Sequence, residues 1–238
     1  LQGYGGLTMR AAEVLRLVSG VLQDLEPDMP RRWVWEHDEK AGLSLLELLN
    51  AAVRAVVLQR PDITAVTEAV LLEPGIRQGM PDRRHGARHA CAALIGLVRN
   101  MGADGETPGK GIIPVPAALL LGMAGYGTMA PEVQMYAYDK HLDPYTYYVY
   151  PAVPEQAEVW VELTYSAMPP ALTATDQELP VQDTFSEALV HHMLASVLSG
   201  DNETSNLTRA QTHMQAYYQV MGIRQQVDGT LGRKGVAQ

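Results

Sequence analysis

The sequence predicts an α+β protein, built as an antiparallel bundle of four main helices with an inserted antiparallel β-rich domain. Segments with helical apolar spacing lie near both ends of the chain, within residues 8–60 and 183–222. Between them, residues 133–165 hold three runs rich in Tyr and Val, which favour strands. Apolar residues make up 47 % and charged residues 19 % of the 238 residues, as in a globular chain. We therefore expect a bundle over 8–60 and 183–222, an insert over 62–170 and a flexible C-terminal tail over 223–238.

The first helix is predicted from apolar spacing and a capping residue. Thr8 can cap a helix that runs to about Leu25, before a pair of prolines. Leu15, Val18 and Leu22 then share one face with Leu25. This face is expected to lie in the bundle.

The second helix is predicted to begin at Ser44, which forms a capping box with Glu47. It is expected to stop near Arg60, because a residue before proline disfavours the α region and Pro61 follows. The apolar residues between these ends recur at helical spacing. The first two helices thus supply one half of the predicted bundle.

The first part of the insert mixes clear and ambiguous signals. Ala65 to Leu72 is predicted to be a strand, and Gly75 to Gly79 a turn. Ala87 to Met101 could be either a strand or a helix, because short apolar runs do not separate the two. Gly102 to Gly111 is predicted to be a flexible loop, and Pro114 to Met123 a short helix.

The tyrosine-rich part of the insert is predicted to be a β-meander of three consecutive strands. The strands are Val133 to Tyr138, Tyr145 to Tyr150 and Glu158 to Tyr165, with turn-forming residues between them. In the third strand apolar and polar residues alternate, which places Val159, Val161, Leu163 and Tyr165 on one face. Tyrosine gives a large contact area with a polar tip and is enriched at interfaces. An ordinary sheet with one solvated face explains the same residues equally well. The interface candidates are Tyr145, Tyr147 and Trp160.

The last two helices complete the predicted bundle. A capping box of Thr184 and Glu187 should start the first of them, and Gly200 should end it. Its apolar residues cover a broad arc, which predicts burial on two sides. The final helix should span Glu203 to Met221, with Gly222 as its C′ residue, and the short connection makes the two helices neighbours. Its predicted apolar face consists of Leu207, Ala210, Met214, Tyr217 and Met221.

Charge and composition restrict the possible functions. The net charge is −9, and an acidic chain lacks the cations that neutralise a nucleic-acid backbone. Cys91 is the only cysteine, so an intrachain disulfide is impossible and a thiolate zinc site is nearly excluded. The apolar run Ile112 to Tyr126 is interrupted by Pro and Gly and is too short to span a bilayer. No membrane association is expected.

The candidate chemical sites are weak. His85 and His89 have the i, i+4 spacing of a helical metal pair, but the surrounding arginines would repel a cation and favour a basic surface patch. His191 and His192 are adjacent, so one should be buried and one should lie at an edge of the bundle. Thr107 to Gly111 lacks the spacing of a phosphate loop. We predict no catalytic, cofactor-binding or metal-binding residues.

Short motifs occur in a fixed order along the chain. They consist of Leu49, Asn50, Ala52, Arg54, Arg60, Pro61 and Asp62, then Gly75, Arg77, Gln78 and Pro81, then Arg99 to Gly102, Tyr138 and Asp139, Tyr148 to Pro151, Val161 and Glu162, Tyr165 to Pro169, Leu179 and Pro180, Ala188 and Leu189, Asp201 and Ala210. Their order resembles that of the head-to-tail adaptor proteins of tailed bacteriophages, from Leu43 to Arg224. Ala103 to Gly127 does not align, and Met129-Ala-Pro131 lacks a tryptophan that the family often carries.

The resemblance implies a virion protein without enzymatic activity at the head–tail junction, assembled in the host cytoplasm. Such adaptors form a ring, usually twelvefold, that joins the portal protein to a tail or nozzle protein. The ring lines the DNA exit channel, and an acidic chain suits DNA that passes without sequence-specific binding. The bundle should supply most subunit contacts. The candidates for portal docking are Val227, Leu231, Arg233, Lys234 and Val236.

An alternative function belongs to another class. The chain could be a small-molecule-binding or hydrolytic α+β enzyme that uses a cleft beside the β-meander or the region of His85 and His89. The oligomeric mass separates the two hypotheses. A closed ring favours the adaptor, and a monomer with a deep polar pocket favours the enzyme.

Overall fold

The computed structural model describes residues 9–23, 33–37, 43–124, 127–200 and 204–222. These residues form a mixed α+β fold, which confirms the predicted class at that level. None of the helices in the described residues has the length and apolar character needed to cross a membrane. The helices are α1 (Ala11–Val21), α2 (Leu45–Gln59), α3 (Ala117–Ala124), α4 (Ser186–Ser199) and α5 (Thr204–Val220), and the strands are β1 (Ala65–Leu71), β2 (Gly75–Gly79), β3 (Cys91–Asn100), β4 (Ile113–Pro114), β5 (Met135–Ala137), β6 (Thr146–Val153) and β7 (Trp160–Ala167).

The chain divides into two compact units. The first, here called the helical unit, comprises Leu1–Val56 and Leu172–Gln238, and the second, the β unit, comprises Val57–Ala171. The helical unit holds α1, α4, α5 and most of α2. The β unit holds every strand of the described residues together with α3.

Helix α1 is shorter than predicted at its start. The backbone N–H of Arg10 donates to the Glu13 carboxylate at 2.7 Å, so the helix begins after Arg10. Thr8 lies outside the described residues. At the other end, Gln23 adopts a φ of 58°, which closes the helix after Val21. The buried face of α1 is formed by Ala11, Val14, Leu15, Val18 and Ser19.

Helix α2 confirms the predicted capping box. The Ser44 N–H donates to the Glu47 carboxylate at 2.7 Å, and the Ser44 hydroxyl accepts from the Glu47 N–H at 3.3 Å. The helix ends at Gln59, before Pro61, as expected. From its middle, Asn50 donates to the Leu172 carbonyl at 2.9 Å and accepts from the Leu172 N–H at 2.7 Å. This amide fixes the returning chain to α2.

Helices α4 and α5 pack against each other, as predicted, and α1 packs against α4. The capping box at Thr184 does not form, because a short 3-10 turn occupies Asp183–Phe185 and α4 begins only at Ser186. Gly200 follows the last residue of α4, and Gly222 after α5 has a φ of 67°, so both predicted stop signals are confirmed.

The predicted apolar face of α5 is partly wrong. Ala210, Tyr217 and Met221 are buried, whereas Met214 is half-buried. Leu207 is 51 % exposed, so this end of the predicted face is not buried. The buried side of α5 therefore begins at Ala210.

The β unit contains two sheets, and the predicted three-strand meander is wrong in its third strand. β5 and β6 pair antiparallel in a sheet of order β2-β6-β5-β4. β7 instead lies at the centre of a sheet of order β1-β7-β3. Its Val161, Leu163 and Tyr165 are buried, as the alternation predicted. The alternation gives the face of a strand but carries no information about its partners.

For two further segments of the β unit, local sequence signals predicted the wrong structure or left two structures open. Gly75–Gly79 is a strand that pairs with β6, so the predicted turn is wrong there, although Gly75 bends the chain with a φ of 106°. Gln78 stabilises this bend, since its amide donates to the Glu73 carbonyl at 2.7 Å and accepts from the Glu73 N–H at 2.8 Å. The ambiguous segment after Ala87 is the strand β3.

Candidate interaction surface

Residues 111–131 form a segment that we call the apolar flap. It contains β4 and α3, and no Asp, Glu, Lys, Arg or His occurs in it. Residues 125 and 126 lie outside the described residues. β4 pairs with β5, and α3 packs against β5 and β6. The flap thus rests on one edge of the second sheet.

One buried amide holds both ends of the flap. Asn100, at the end of β3, is 4 % exposed. Its side-chain N–H groups donate to the Lys110 carbonyl at 3.0 Å and to the Val133 carbonyl at 2.8 Å, and its oxygen accepts from the Val133 N–H at 2.8 Å. Outside, Lys110 Nζ lies 3.0 Å from Glu132 Oε2. The flap is therefore closed at its base by Asn100 and an ion pair, which we call the base clamp.

The outer side of the flap is apolar and exposed. Of the α3 residues with a described side chain, Leu120 alone is fully buried, while Leu119 and Leu121 are 53 % and 45 % exposed. Ile113 and Met129 are 62 % and 64 % exposed. A helix that is apolar on all sides is normally covered, and clustered exposed apolar side chains mark interaction sites. The flap is the strongest candidate interaction surface among the described residues.

The region of His85 and His89 is not a helical metal pair. His85 lies in a 3-10 turn, Arg83–His85, and Gly86 turns the chain away with a φ of 83°. The His85 ring is buried, with Nε2 3.1 Å from Glu73 Oε1, whereas His89 is exposed. No group of three or more potential metal ligands occurs in the described ranges. This region is a structural turn.

The predicted basic patch is wrong for Arg84 and Arg88, while Arg83 is exposed. Arg84 lies 2.8 Å from the Asp82 carboxylate, and Arg88 Nε donates to Glu68 at 2.6 Å. Their positive charges are therefore balanced by neighbouring carboxylates. The prediction failed because Glu68 lies far away in the sequence, on β1.

Glu68 is a buried carboxylate that joins three segments. Its side chain is 7 % exposed, and it accepts hydrogen bonds from the Tyr165 hydroxyl at 2.5 Å and from Arg88. Burial alone would raise the pKa of Glu68, but these hydrogen bonds outweigh it and the net pKa is lowered. Burial and the bond to Glu68 raise the pKa of Tyr165. The group stays ionised and stabilises the sheet.

A family model described as SU10 adaptor protein matches residues 9–234. The chain belongs to the SU10 adaptor protein family. A comparison with curated proteins gives no significant match. The family match confirms the resemblance to head-to-tail adaptors that the ordered motifs indicate. It also covers residues 103–127, which the motifs left unaligned, so the whole apolar flap lies within the matched part of this adaptor.

The motif amides of this adaptor have a shared structural role. Asn50, Gln78 and Asn100 each bind backbone N–H and carbonyl groups of a segment that would otherwise be free to move. Sequence reasoning placed all three in motifs but gave none of them a role. It also missed the flap as a site, although the absence of charge from 111 to 131 was a readable signal.

The interface candidates fall into different environments. Tyr145 is 75 % exposed, and its role at an interface stays a prediction. Tyr147 is 2 % exposed and lies in the core of the β unit, which removes it from the accessible candidates, because the alternation along β6 turns it inward. Trp160 is half-buried, and a Cβ at Gly105 would lie 2.9 Å from its indole ring. The Trp160 ring therefore serves mainly to pack against the chain at Gly105.

The candidates for portal docking cannot be placed. Val227, Leu231, Arg233, Lys234 and Val236 lie outside the described residues. Their role remains a prediction from the sequence.

Proposed function

We propose that this adaptor is a structural virion protein that forms a closed ring, with twelve copies as the expected number. The ring joins the portal protein to a tail or nozzle protein at the head–tail junction and surrounds the exit path of the DNA. The observation that carries this proposal is the family match over residues 9–234. The net charge of −9 supports a channel that DNA passes without adhering.

The apolar flap supports the ring. A ring of identical subunits needs a head-to-tail contact between two different surfaces of the same chain. The flap is exposed, carries no charge and is held in place by the base clamp. Permanent interfaces are more apolar than transient ones, and a surface without cations cannot bind a phosphate backbone. We therefore assign the flap to the contact with the neighbouring subunit.

The helical unit is proposed to supply the remaining subunit contacts. In this proposal α1, α2, α4 and α5 form one antiparallel bundle, corresponding to the predicted ranges 8–60 and 183–222. The β-rich domain, 62–170, then presents the flap to a neighbour. The tail, 223–238, docks on the portal. Assembly takes place in the host cytoplasm.

The experiment measures oligomeric mass and ring formation by light scattering and electron microscopy, with and without portal protein. Leu119→Asp combined with Leu121→Asp places two charges on the flap at exposed positions, so the fold should survive. We expect this variant to lose the ring while its circular dichroism spectrum is unchanged. Burying an unpaired carboxylate against a neighbour costs several kcal/mol.

The matched control is Leu142→Asp, an equally apolar side chain that is 77 % exposed and lies in the turn before β6, outside the flap. The control should assemble normally. Rings formed by both variants would eliminate the flap as the subunit contact. A wild-type protein that stays monomeric even with portal protein would contradict the ring itself.

A further inference from the structure

Two histidines meet across the seam between α4 and α5. His191 Nδ1 lies 2.9 Å from His213 Nδ1, and the ring centres are 5.2 Å apart. The centre distance equals the nitrogen separation plus one ring radius at each end. The two nitrogens therefore point directly at each other.

This alignment suits a shared proton. In a neutral imidazole one nitrogen donates and the other accepts, so one Nδ1–H can donate to the facing Nδ1. A metal ion would need both lone pairs to converge at a point beside the line between the nitrogens. No third ligand completes a metal cluster in the described part of the chain. The pair is a hydrogen bond between the two helices.

The number of protons decides whether the bond can exist. One added proton can enter at an outer nitrogen and leave the bridge intact, and His191 Nε2 has Glu187 Oε1 at 3.8 Å to stabilise that charge. A second added proton makes both Nδ1 atoms donors. Two N–H groups then face each other, and the bond is lost.

The surroundings of the histidine pair offer little negative charge to offset a second positive charge. On α4, Glu187 is the nearest acid, and on α5, Arg209 opposes protonation. Burial, then His191 and Arg209, lower the pKa of His213. Burial raises the pKa of Tyr217, also on α5, so this hydroxyl carries no charge that would offset the second proton.

The other elements packed against α4 also do little to stabilise a second proton on the histidine pair. The side of α1 turned inward is apolar except for Ser19, and the charged Glu13 and Arg16 of α1 are exposed. In the 3-10 turn before α4, Asp183 accepts a hydrogen bond from the Met9 N–H at 2.7 Å.

A third histidine, His192, also makes the folded state less stable in acid. The His192 ring stands edge-on to Tyr217, with centres 5.2 Å apart, and its Nδ1 is buried without a hydrogen-bond partner. Burial lowers the pKa of His192. The pKa values of His192 and His213 are thus lower in the folded state than in the unfolded state, where histidine accepts a proton near pH 6.5. The stability of the folded state is therefore lost as the pH falls below that value.

We propose that His191 and His213 form an acid-sensitive latch that holds α5 on α4 while they share a proton and releases it when both are protonated. The latch is independent of ring formation. It would let acid loosen the helical unit while the β unit stays folded.

The test is amide hydrogen exchange on the full chain at about pH 7.5 and about pH 5, expressed as protection factors. We expect α5 to lose about tenfold or more of its protection at the lower pH. His191→Gln combined with His213→Gln retains hydrogen-bonding groups but cannot titrate. This variant should lose about threefold or less, with His192 responsible for the remainder.

The control is His141→Gln, an exposed histidine of the β unit, which should behave as the wild type. An equal loss of α5 protection in the double variant, or no loss in the wild type, would overturn the latch. If the double variant does not fold, the nitrogen-15 shifts of the wild-type rings decide. Uptake of both protons at one pH, without a preceding single-proton step, would contradict the shared bridge.

Discussion

The α4–α5 seam of the helical unit and the interior of the β unit hold their polar groups in different ways. In the β unit, Glu68, Gln78 and Asn100 are buried or nearly so, and each has several hydrogen-bond partners. In the helical unit, His192 Nδ1 and the Tyr217 hydroxyl are buried without one. The Trp160 indole N–H is a similar case in the β unit. Buried polar groups without partners reduce stability by about 1–3 kcal/mol each.

This difference indicates which part of the protein is suited to stay rigid and which part is suited to change conformation. A polar group with all its bonds made fixes the segments around it and raises the cost of any rearrangement. A seam that lacks some of its bonds is closer in free energy to an open state. The β unit is therefore a rigid support for the apolar flap, and the α4–α5 seam is the part able to respond to conditions.

The largest expected effect comes from removing the base clamp. Asn100→Leu leaves both Val133 backbone groups without the Asn100 side chain, while the Lys110 carbonyl keeps the bond from the backbone N–H of residue 100. We expect the free energy of unfolding to fall by about 3–5 kcal/mol. Chemical denaturation measures this, and Gln156→Ala, an exposed amide of the same unit, is the control. If Asn100→Leu lowers the free energy of unfolding no more than Gln156→Ala does, the β unit does not depend on its buried amides.

A smaller effect is expected in the seam. Met214→Asp puts a carboxylate on α5 at a half-buried position, so part of its charge stays hydrated. The free energy of unfolding should fall by about 1–3 kcal/mol, less than at Asn100. Gln215→Asp adds the same charge at the next, exposed residue and should be nearly neutral. Equal melting temperatures for the two variants would show that Met214 is not part of the seam.

Acid should destabilise the helical unit at a higher pH than the β unit. The lowered pKa values of His192 and His213 destabilise the helical unit below about pH 6.5. The lowered pKa values of Glu68 and of Asp104, which backbone N–H groups hold at about 2, stabilise the β unit until the pH falls below the ordinary range near 4. At about pH 5, exchange protection should fall in α5 and persist in β7. Parallel losses would contradict the comparison.

The smallest effect on stability is expected from the tail. Removal of Val227 to Gln238 should leave the melting temperatures of both units unchanged and weaken attachment to portal protein. Gly229, Gly232 and Gly235 raise the entropic cost of ordering this segment, so a partner has to supply the contacts. A pull-down with portal protein, beside a circular dichroism spectrum, checks both parts. Undiminished binding would move the docking role elsewhere.

Local signals predicted the helices well and the sheets less well. The capping box of Ser44, the stop at Pro61 and the glycine after α5 depend on neighbours in sequence, and each is confirmed. β7 was assigned to the wrong sheet because its partners are far from it in the chain. Pairing over such distances is decided by packing, which spacing does not encode.

The candidate site shows the same limit. The lack of charge from 111 to 131 is visible in the sequence, but its exposure is not. Tyr147 looked like Tyr145 in the sequence, yet one is in the core and the other on the surface. Arg88 looked like part of a basic patch, but the fold brings Glu68 of β1 to it. Charge balance and accessibility are properties of the fold.

The base clamp makes the segment it closes exchangeable. The Asn100 side chain binds backbone groups of Lys110 and Val133, so the exposed residues between these two can differ in sequence without disturbing the clamp. Loops with fixed, adjacent ends accept replacement at small entropic cost. Replacing the exposed residues of the flap by those of another adaptor, with the buried Ile112 and Leu120 kept, would then transfer the choice of partner and leave both sheets intact.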